Sequence, residues 1–259
     1  KPGGDNLIAA REVIASAPDG YTLFFTTNGL LSIAPALYAE YPVNTLKDFS
    51  YIGSISSYPY IFVTGINEKR NTPKEFIKAS KDKAESVSYA IVGNVSLVSG
   101  ALFTTSLDVK MLPVRYKGNA DTVSDLYAER INLGTFAPSF SIPLIESKKL
   151  KPLGVTGEKR LAKLPDVPLV SELDPALKDY ASSVLTWTAI VAPAGLPADI
   201  TKKLEGELKN VVFDEHFIKQ VQNLGDSVDW KTARETEGRV NREIEVWKKV
   251  VKQANLKLQ

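Results

Sequence analysis

The chain has 259 residues, 44% hydrophobic and 24% charged, with 32 basic against 30 acidic side chains and a net charge of +2. That length supports a sizeable core and two lobes, and so even a charge balance excludes a field able to gather nucleic acid or an anionic membrane. Cysteine is absent, which excludes disulfides, thiolate metal sites and a Cys nucleophile and suits an exported bacterial protein that folds without bridges. No apolar run approaches the roughly 20 residues that span a bilayer.

The opening Lys1-Pro-Gly-Gly-Asp5 carries no signal-peptide pattern and reads as the middle of a domain, as expected where a leader and more have been removed or the sequence begins late. Asp5 is expected to cap a helix carrying Leu7, Ile8, Val13, Ile14 and Ala17 on one face. Pro18-Asp19-Gly20 is a turn into a strand over 21–26. Thr27-Asn28-Gly29 is a strand-end turn before a helical segment ending near Tyr38, and 51–56 and 60–65 read as two more strands. Thr72-Pro-Lys-Glu75 is a capping box with Pro at the first helical position, which predicts a helix through about Lys83. Strand and helix then alternate at 87–92, 96–107, 111–116, 120–128, 131–136, 140–147 and 151–156. That spacing predicts βαβ units and a mostly parallel sheet. Residues 159–175 read as a long surface connection and 187–191 as an apolar strand. The last third reads as helical, with Ile200, Leu204, Leu208 and Val211 on one face and Val240, Ile244, Trp247 and Val251 on another.

The most informative stretch is 88–103, a short buried strand, a Gly93-Asn94 turn and a helix with Ser96 expected as its N-cap. Residues 114–118 repeat the arrangement, with a Lys117-Gly118-Asn119 turn and a helix from about Ala120. Such units aim free backbone N–H groups beyond the strand end, where open α/β sheets bind small and commonly anionic ligands. The candidate binding residues are Thr27, Asn28, Gly29, Ser56, Ser57, Gly93, Asn94, Ser96, Gly118, Asn119, Ala120, Thr135, Phe136, Ser139 and Trp187. Each has a structural alternative: a turn or helix cap, a strand end for Ser56 and Ser57, sheet core or a helix cap for Thr135, Phe136 and Ser139, and interface packing for Trp187. Arg115 could grip a carboxylate in a fork, but a structural ion pair is the expected role, and Lys117 reads as a solvated charge.

Nothing in the pattern suggests chemistry. The single histidine, His216, sits in Asp214-Glu-His216 at a polar helix start and reads as a surface residue. There is no Gly-x-Ser-x-Gly elbow, no His-Glu-x-x-His, no Gly-x-Gly-x-x-Gly and no phosphate loop. The reading includes no catalytic residue, no metal and no cofactor.

Seven short motifs fall in a recognisable order: Ala17-Pro-Asp-Gly-Tyr-Thr-Leu23, Pro35-Ala-Leu-Tyr38, Lys47-Asp-Phe49, Tyr116-Lys-Gly118, Leu164-Pro-Asp-Val-Pro168, Ala192-Pro-Ala-Gly195 and Trp247-Lys-Lys-Val-Val251. Together they resemble the Bug/TctC-type substrate-binding proteins of tripartite tricarboxylate transporters, over essentially the whole chain. Lys1-Pro-Gly-Gly4 resembles the end of that family's glycine-rich stretch, whose opening strand would lie before Lys1. The resemblance implies a two-lobed periplasmic-binding (type II) α/β fold with mostly parallel sheets and a cleft between the lobes. Lobe one would be 1–61 plus 187–259 and lobe two 62–186, with crossings at 58–64 and 184–191. It implies a monomeric periplasmic receptor that takes a small organic acid, a di- or aromatic carboxylate, and hands it to membrane permease subunits. A sensor presenting the solute to a membrane kinase, and an enzyme on the same scaffold, are the alternatives. The chain departs from the family at Gly93-Asn94-Val95-Ser96-Leu97-Val98, which is less polar, and at Phe136-Ala137-Pro138, where a Phe-Asp pair is common. Fewer polar groups there favour a ligand with more apolar or aromatic surface.

Overall fold

The computed structural model describes residues 6–70, 72–82, 87–178, 184–254 and 256. The expected Asp5 cap, the Lys1–Gly4 motif and the Lys83 helix end lie outside these residues. The helices are α1 (Leu7–Ile14), α2 (Ala34–Leu37), α3 (Pro73–Lys81), α4 (Asn94–Leu107), α5 (Asn119–Tyr127), α6 (Pro138–Glu146), α7 (Ala198–Val212), α8 (Glu215–Asn223) and α9 (Ala233–Gln253). The strands are β1 (Phe24–Thr27), β2 (Phe49–Pro59), β3 (Ile61–Gly65), β4 (Val87–Ile91), β5 (Met111–Arg115), β6 (Gly134–Phe136), β7 (Leu150–Val155), β8 (Leu185–Pro193) and β9 (Ser227–Thr232). The chain divides into two units, Lys1–Ser57 with Thr186–Gln259 and Tyr58–Leu185.

In unit 1 the strand order is β1-β8-β2-β9, with β1 antiparallel to β8 and β9 antiparallel to β2. Its core joins Ala10 and Val13 of α1, Leu30 and Leu31, Phe49, Trp187, Val191, and Val240 and Ile244 of α9. Ile8 is 49% exposed and Ala17 lies beyond the end of α1, so the first helix buries a narrower stripe than its sequence suggests. Ile200, Leu204 and Leu208 pack on Ile52, Ala192 and Leu196. The fourth residue of that stripe is Val212, fully buried, and not Val211, which is half exposed. Strand β9 was expected to be part of a helical tail. Its alternation of Val228 and Trp230 with polar residues is the two-residue period of an edge strand.

In unit 2, Thr72 Oγ1 accepts from Glu75 N–H at 3.2 Å while Glu75 Oε2 accepts from Thr72 N–H at 3.1 Å, the expected reciprocal cap. Strands β4 and β5 pair in parallel, and β4 meets the chain just before β6 through a parallel Tyr89↔Leu133 bridge. Strands β6 and β7 both run antiparallel to β3. Strands β4 to β7 therefore share one direction, and β3 lies reversed between β6 and β7. This corrects the expectation of mostly parallel pairing. Strand β3 follows β2 through Tyr60 with no crossover helix, so nothing forces it to point the way of the βαβ series. Ile61, Val63, Ala90, Leu126, Phe136, Ile142, Leu150 and Val155 form the core.

One buried ion pair braces unit 2. Glu68 holds Arg70 Nε at 2.7 Å and Nη2 at 2.8 Å, and accepts from Asn132 Nδ2 at 3.3 Å. Burial pushes its carboxyl up, but the hydrogen bonds from Arg70 and then Asn132 outweigh it and hold Glu68 below the usual range. Asn132 Oδ1 in turn accepts from Ser88 N–H at 2.9 Å, tying β4 to the loop after β3.

Asp226, in the turn between α8 and β9, is the opposite case: its buried Oδ1 has no hydrogen-bond partner among the described residues. Burial alone pushes its carboxyl up to about 6. An unfolded Asp titrates near 3.9, so between about pH 4 and 6 the folded state keeps a proton that the unfolded state has lost. Stability therefore falls as pH rises through that window. With Asp226 half-exposed and partly screened, Asp226→Asn should gain about 1 kcal/mol at pH 7.5 and nothing at pH 4, measured by urea unfolding. Destabilisation at pH 7.5 would refute this account.

Candidate solute-binding edges

Strand direction decides where the unit 2 candidates meet. Because β4, β5 and β6 run one way, their C-terminal ends lie on one edge of the unit, and each leads directly into a helix: β4 to α4, β5 to α5, β6 to α6. Gly93, Asn94, Ser96, Gly118, Asn119, Ala120, Thr135, Phe136 and Ser139 all belong to these three junctions. The reversed β3 starts at the same edge, since Ile61 pairs with both Phe136 and Val155. Thr156 closes that corner, its Oγ1 accepting from Tyr60 N–H at 2.7 Å.

The three helix starts share a property. The residues preceding α4, α5 and α6 are Gly93, Gly118 and Ala137, and none supplies a side-chain cap. Helices α1, α2 and α7 also start without a side-chain cap, whereas α3, α8 and α9 are capped by Thr72, Asp214 and Thr232. An uncapped start leaves first-turn N–H groups and the positive end of the helix dipole facing outward. Gly93 has φ +107° and ψ 177°, a conformation open to glycine.

Ser96 is not the N-cap expected from sequence. Helix α4 begins two residues earlier, and Ser96 Oγ accepts from Val92 N–H at 2.7 Å while donating to Gly93 O at 3.0 Å. The hydroxyl thus tightens the turn beneath the edge. Asn94 is buried at the first helical position, whereas Ser139 and Ala120 are exposed. Phe136 turns its ring into the core, 5.1 Å from that of Phe140, so it can offer a ligand backbone alone. Arg115 forms no salt bridge among the described residues, against the structural ion pair expected of it, and it is exposed at the end of β5. Tyr116 beside it donates to Asp125 Oδ2 at 2.9 Å. Burial first and that carboxylate second push its phenol up to about 12.

In unit 1, Thr27 pairs with Thr188 across β1 and β8, and Thr188 Oγ1 lies 2.9 Å from Ser56 Oγ on β2. Thr27 and Ser56 therefore belong to one row of hydroxyls across three strands, with Thr188 as the member that sequence reading missed. Thr27 Oγ1 also accepts from Gly29 N–H at 3.3 Å. Asn28 and Gly29 are buried at the start of a π-helical turn over Gly29–Ile33, and Ser57 pairs with Ser227. Thr26 Oγ1, also buried on β1, has no partner among the described residues.

Trp187 is the candidate whose side chain is fully engaged inside unit 1. Its indole is wholly buried, and Nε1–H donates to Glu243 at 2.8 and 3.0 Å. The Arg239 guanidinium lies 4.5 Å above its ring, bonded to Glu243 at 2.8 Å and Asp229 at 2.7 Å. Burial raises the Asp229 carboxyl, but the Arg239 bond and charge outweigh it and set it below the usual range. Packing is the role the indole fills. Its partners are more than 40 residues away in sequence, with no local signal to reveal them.

His216 is exposed, as expected, and no group of three or more metal-ligating side chains occurs among the described residues. No helix is long and apolar enough to cross a membrane among the described residues.

Solved structures share this architecture, among them the periplasmic binding protein BugD. BugD is 26% identical, with TM-score 0.89 over 100% of this chain and 86% of its own. Two Rhodopseudomonas palustris proteins are each 24% identical over 96% of this chain. One is Rpa4515 with adipate, TM-score 0.87 over 83% of its chain, and the other MatC with bound malate, TM-score 0.84 over 85% of its chain. The family described as the tripartite tricarboxylate transporter family receptor matches residues 1–256. With the motifs in register, the periplasmic-binding fold in place and the family pattern matched almost end to end, the chain belongs to the TctC receptor family.

Proposed function

We propose that this protein is a periplasmic receptor that captures a small carboxylate-bearing molecule and delivers it to a tripartite-type membrane permease. The observation that carries the reading is the row of uncapped helix starts at Gly93, Gly118 and Ala137 along one edge of unit 2. Backbone N–H groups and helix dipoles there suit a carboxylate. Arg115 adds a cation at the same edge, and Thr27, Ser56 and Thr188 offer hydroxyls in unit 1. The adipate and malate held by the two Rhodopseudomonas relatives support an acid as the ligand. A receptor releases its ligand unchanged, which agrees with a family of receptors.

The less polar 93–98 segment favours acids with an apolar body, so adipate and benzoate should bind more tightly than citrate. A ligand that binds the native state alone at 100 times its Kd adds about 2.7 kcal/mol of stability, roughly 5–10 °C in melting temperature for a chain of this size. Thermal-shift titration with adipate, malate, benzoate and citrate measures this directly. A melting temperature unmoved by every carboxylate sinks the receptor reading, and citrate ranking first sinks the apolar-body preference.

A further inference from the structure

Strand β9 runs straight into α9, and their junction lines an open groove of about 530 Å³ bounded by Trp230, Lys231, Arg234, Glu235, Gly238 and Arg242. All six residues belong to unit 1. The Trp230 ring is seated on β2, because a Cβ at Gly53 would come within 2.9 Å of Trp230 Cζ3 and of the Lys231 carbonyl. Arg234, Gly238 and Arg242 are spaced by four and share one face of α9. A Cβ at Gly238 would lie 3.3 Å from Arg242 Nη1, so the missing side chain is what lets that guanidinium lean back over the groove.

The charges in the groove divide into committed and free. Lys231 Nζ is paired with Asp229 at 3.1 Å. Glu235 Oε2 is held by Thr232 N–H at 2.9 Å and Thr232 Oγ1 at 2.8 Å. Arg234 and Arg242 are exposed, and neither has a salt bridge or hydrogen bond among the described residues. The groove is thus a fixed aromatic floor flanked by two free, forked cations.

We propose that this groove docks an acidic segment of a partner polypeptide, with carboxylates on Arg234 and Arg242 and an apolar side chain against Trp230. Guanidinium forks grip carboxylates in pairs of parallel hydrogen bonds, and Trp and Arg are the residue types that dominate interface energetics. The groove lies open along its length, whereas a small-solute site encloses most of its ligand. Eight residues of helix separate the two arginines by about 12 Å. An extended chain covers that distance in about four residues, which sets the spacing of the two acids. The proposal stands apart from solute capture and survives or fails without it.

The probe is a fluorescein-labelled peptide with glutamates about four apart around one phenylalanine, titrated by anisotropy against the full chain, with its Gln-for-Glu counterpart as control. The acidic peptide should bind, and added salt should weaken it. The doubly substituted Arg234→Ala, Arg242→Ala protein should lose roughly tenfold or more in affinity while melting within roughly 2 °C of the parent, both positions being exposed. Trp230→Ala should weaken the peptide as well, and the adipate thermal shift should be unchanged in the double variant. Undiminished affinity of the double variant, or equal binding of the Gln peptide, overturns the proposal. Displacement of the peptide by millimolar citrate would make the groove a small-anion site instead, and loss of binding on concentration-dependent self-association would assign it to a second copy; either result overturns the proposal too.

Discussion

Glu243→Ala should cost about 3 kcal/mol, the largest loss expected from any single charge in unit 1. Three groups lose their acceptor or counter-charge at once. The fully buried Trp187 Nε1–H has no other partner among the described residues, the fully buried Ser32 hydroxyl loses its 2.8 Å bond, and the Arg239 guanidinium loses one of its two carboxylates. Through Arg239 the loss reaches Asp229, whose carboxylate is held down by that cation. For a chain of this size the expected drop in melting temperature is roughly 6–12 °C. Glu243→Gln keeps an acceptor for the indole and the hydroxyl but drops the charge, so it should lose about half as much. The measurement is urea unfolding of both variants with Trp187→Phe as a third arm, since coupling between positions 187 and 243 isolates the indole bond. A Glu243→Ala protein unfolding at the parent's midpoint would show the network to be idle.

Gly65→Ala should destabilise unit 2 by about 3 kcal/mol, at the upper end of overpacking effects. A Cβ there would sit 2.0 Å from the Leu126 carbonyl oxygen and 2.7 Å from its carbon. Backbone cannot rotate aside as a side chain can, so the C-terminal end of α5 must move. Leu126 is buried in the same core that seats Phe136, and α5 follows Gly118 on the edge proposed for the solute. The variant should therefore lose stability and bind adipate more weakly, with the unfolding slope unchanged if the two-state transition holds. Gly206→Ala, where nothing lies within 4 Å of the added Cβ, is the matched control and should leave stability unchanged or higher. Equal stabilities of the two variants would refute the clash.

What could be read from the sequence was local. The Thr72 and Glu75 cap, the alternation from β4 to β7, and the buried faces of α9 each depend on residues within a few positions of one another. What could not be read depends on partners far along the chain. Nothing near residue 61 says that β3 will insert reversed between β6 and β7, and nothing near Trp187 names Glu243. Ser96 was misplaced because a serine three positions inside a helix and a serine capping it look alike in sequence; the difference lies in whether it bonds forward or back. Val228 and Trp230 are only two alternating apolar positions, too short a run to mark a strand until β2 is there to pair with them. The candidate residues in unit 2 gathered at one edge because strand-end turns follow from local punctuation, while Trp187 and Phe136 were put to other use by packing.

Unit 2 is a single continuous stretch of chain, and unit 1 is assembled from two stretches that flank it. The bond between Ser56 and Thr188 spans 132 residues. Closing so long a loop is entropically costly and slow, yet the cost grows with the logarithm of loop length and shrinks once the intervening residues have condensed. Order of assembly is thereby written into the connectivity: the inserted piece can organise itself as it is made, whereas the early strands β1 and β2 must wait for β8 and β9 before their sheet exists. Until then the edges of β1 and β2 stand open to any other strand, and this interval is when the molecule is most exposed to aggregation.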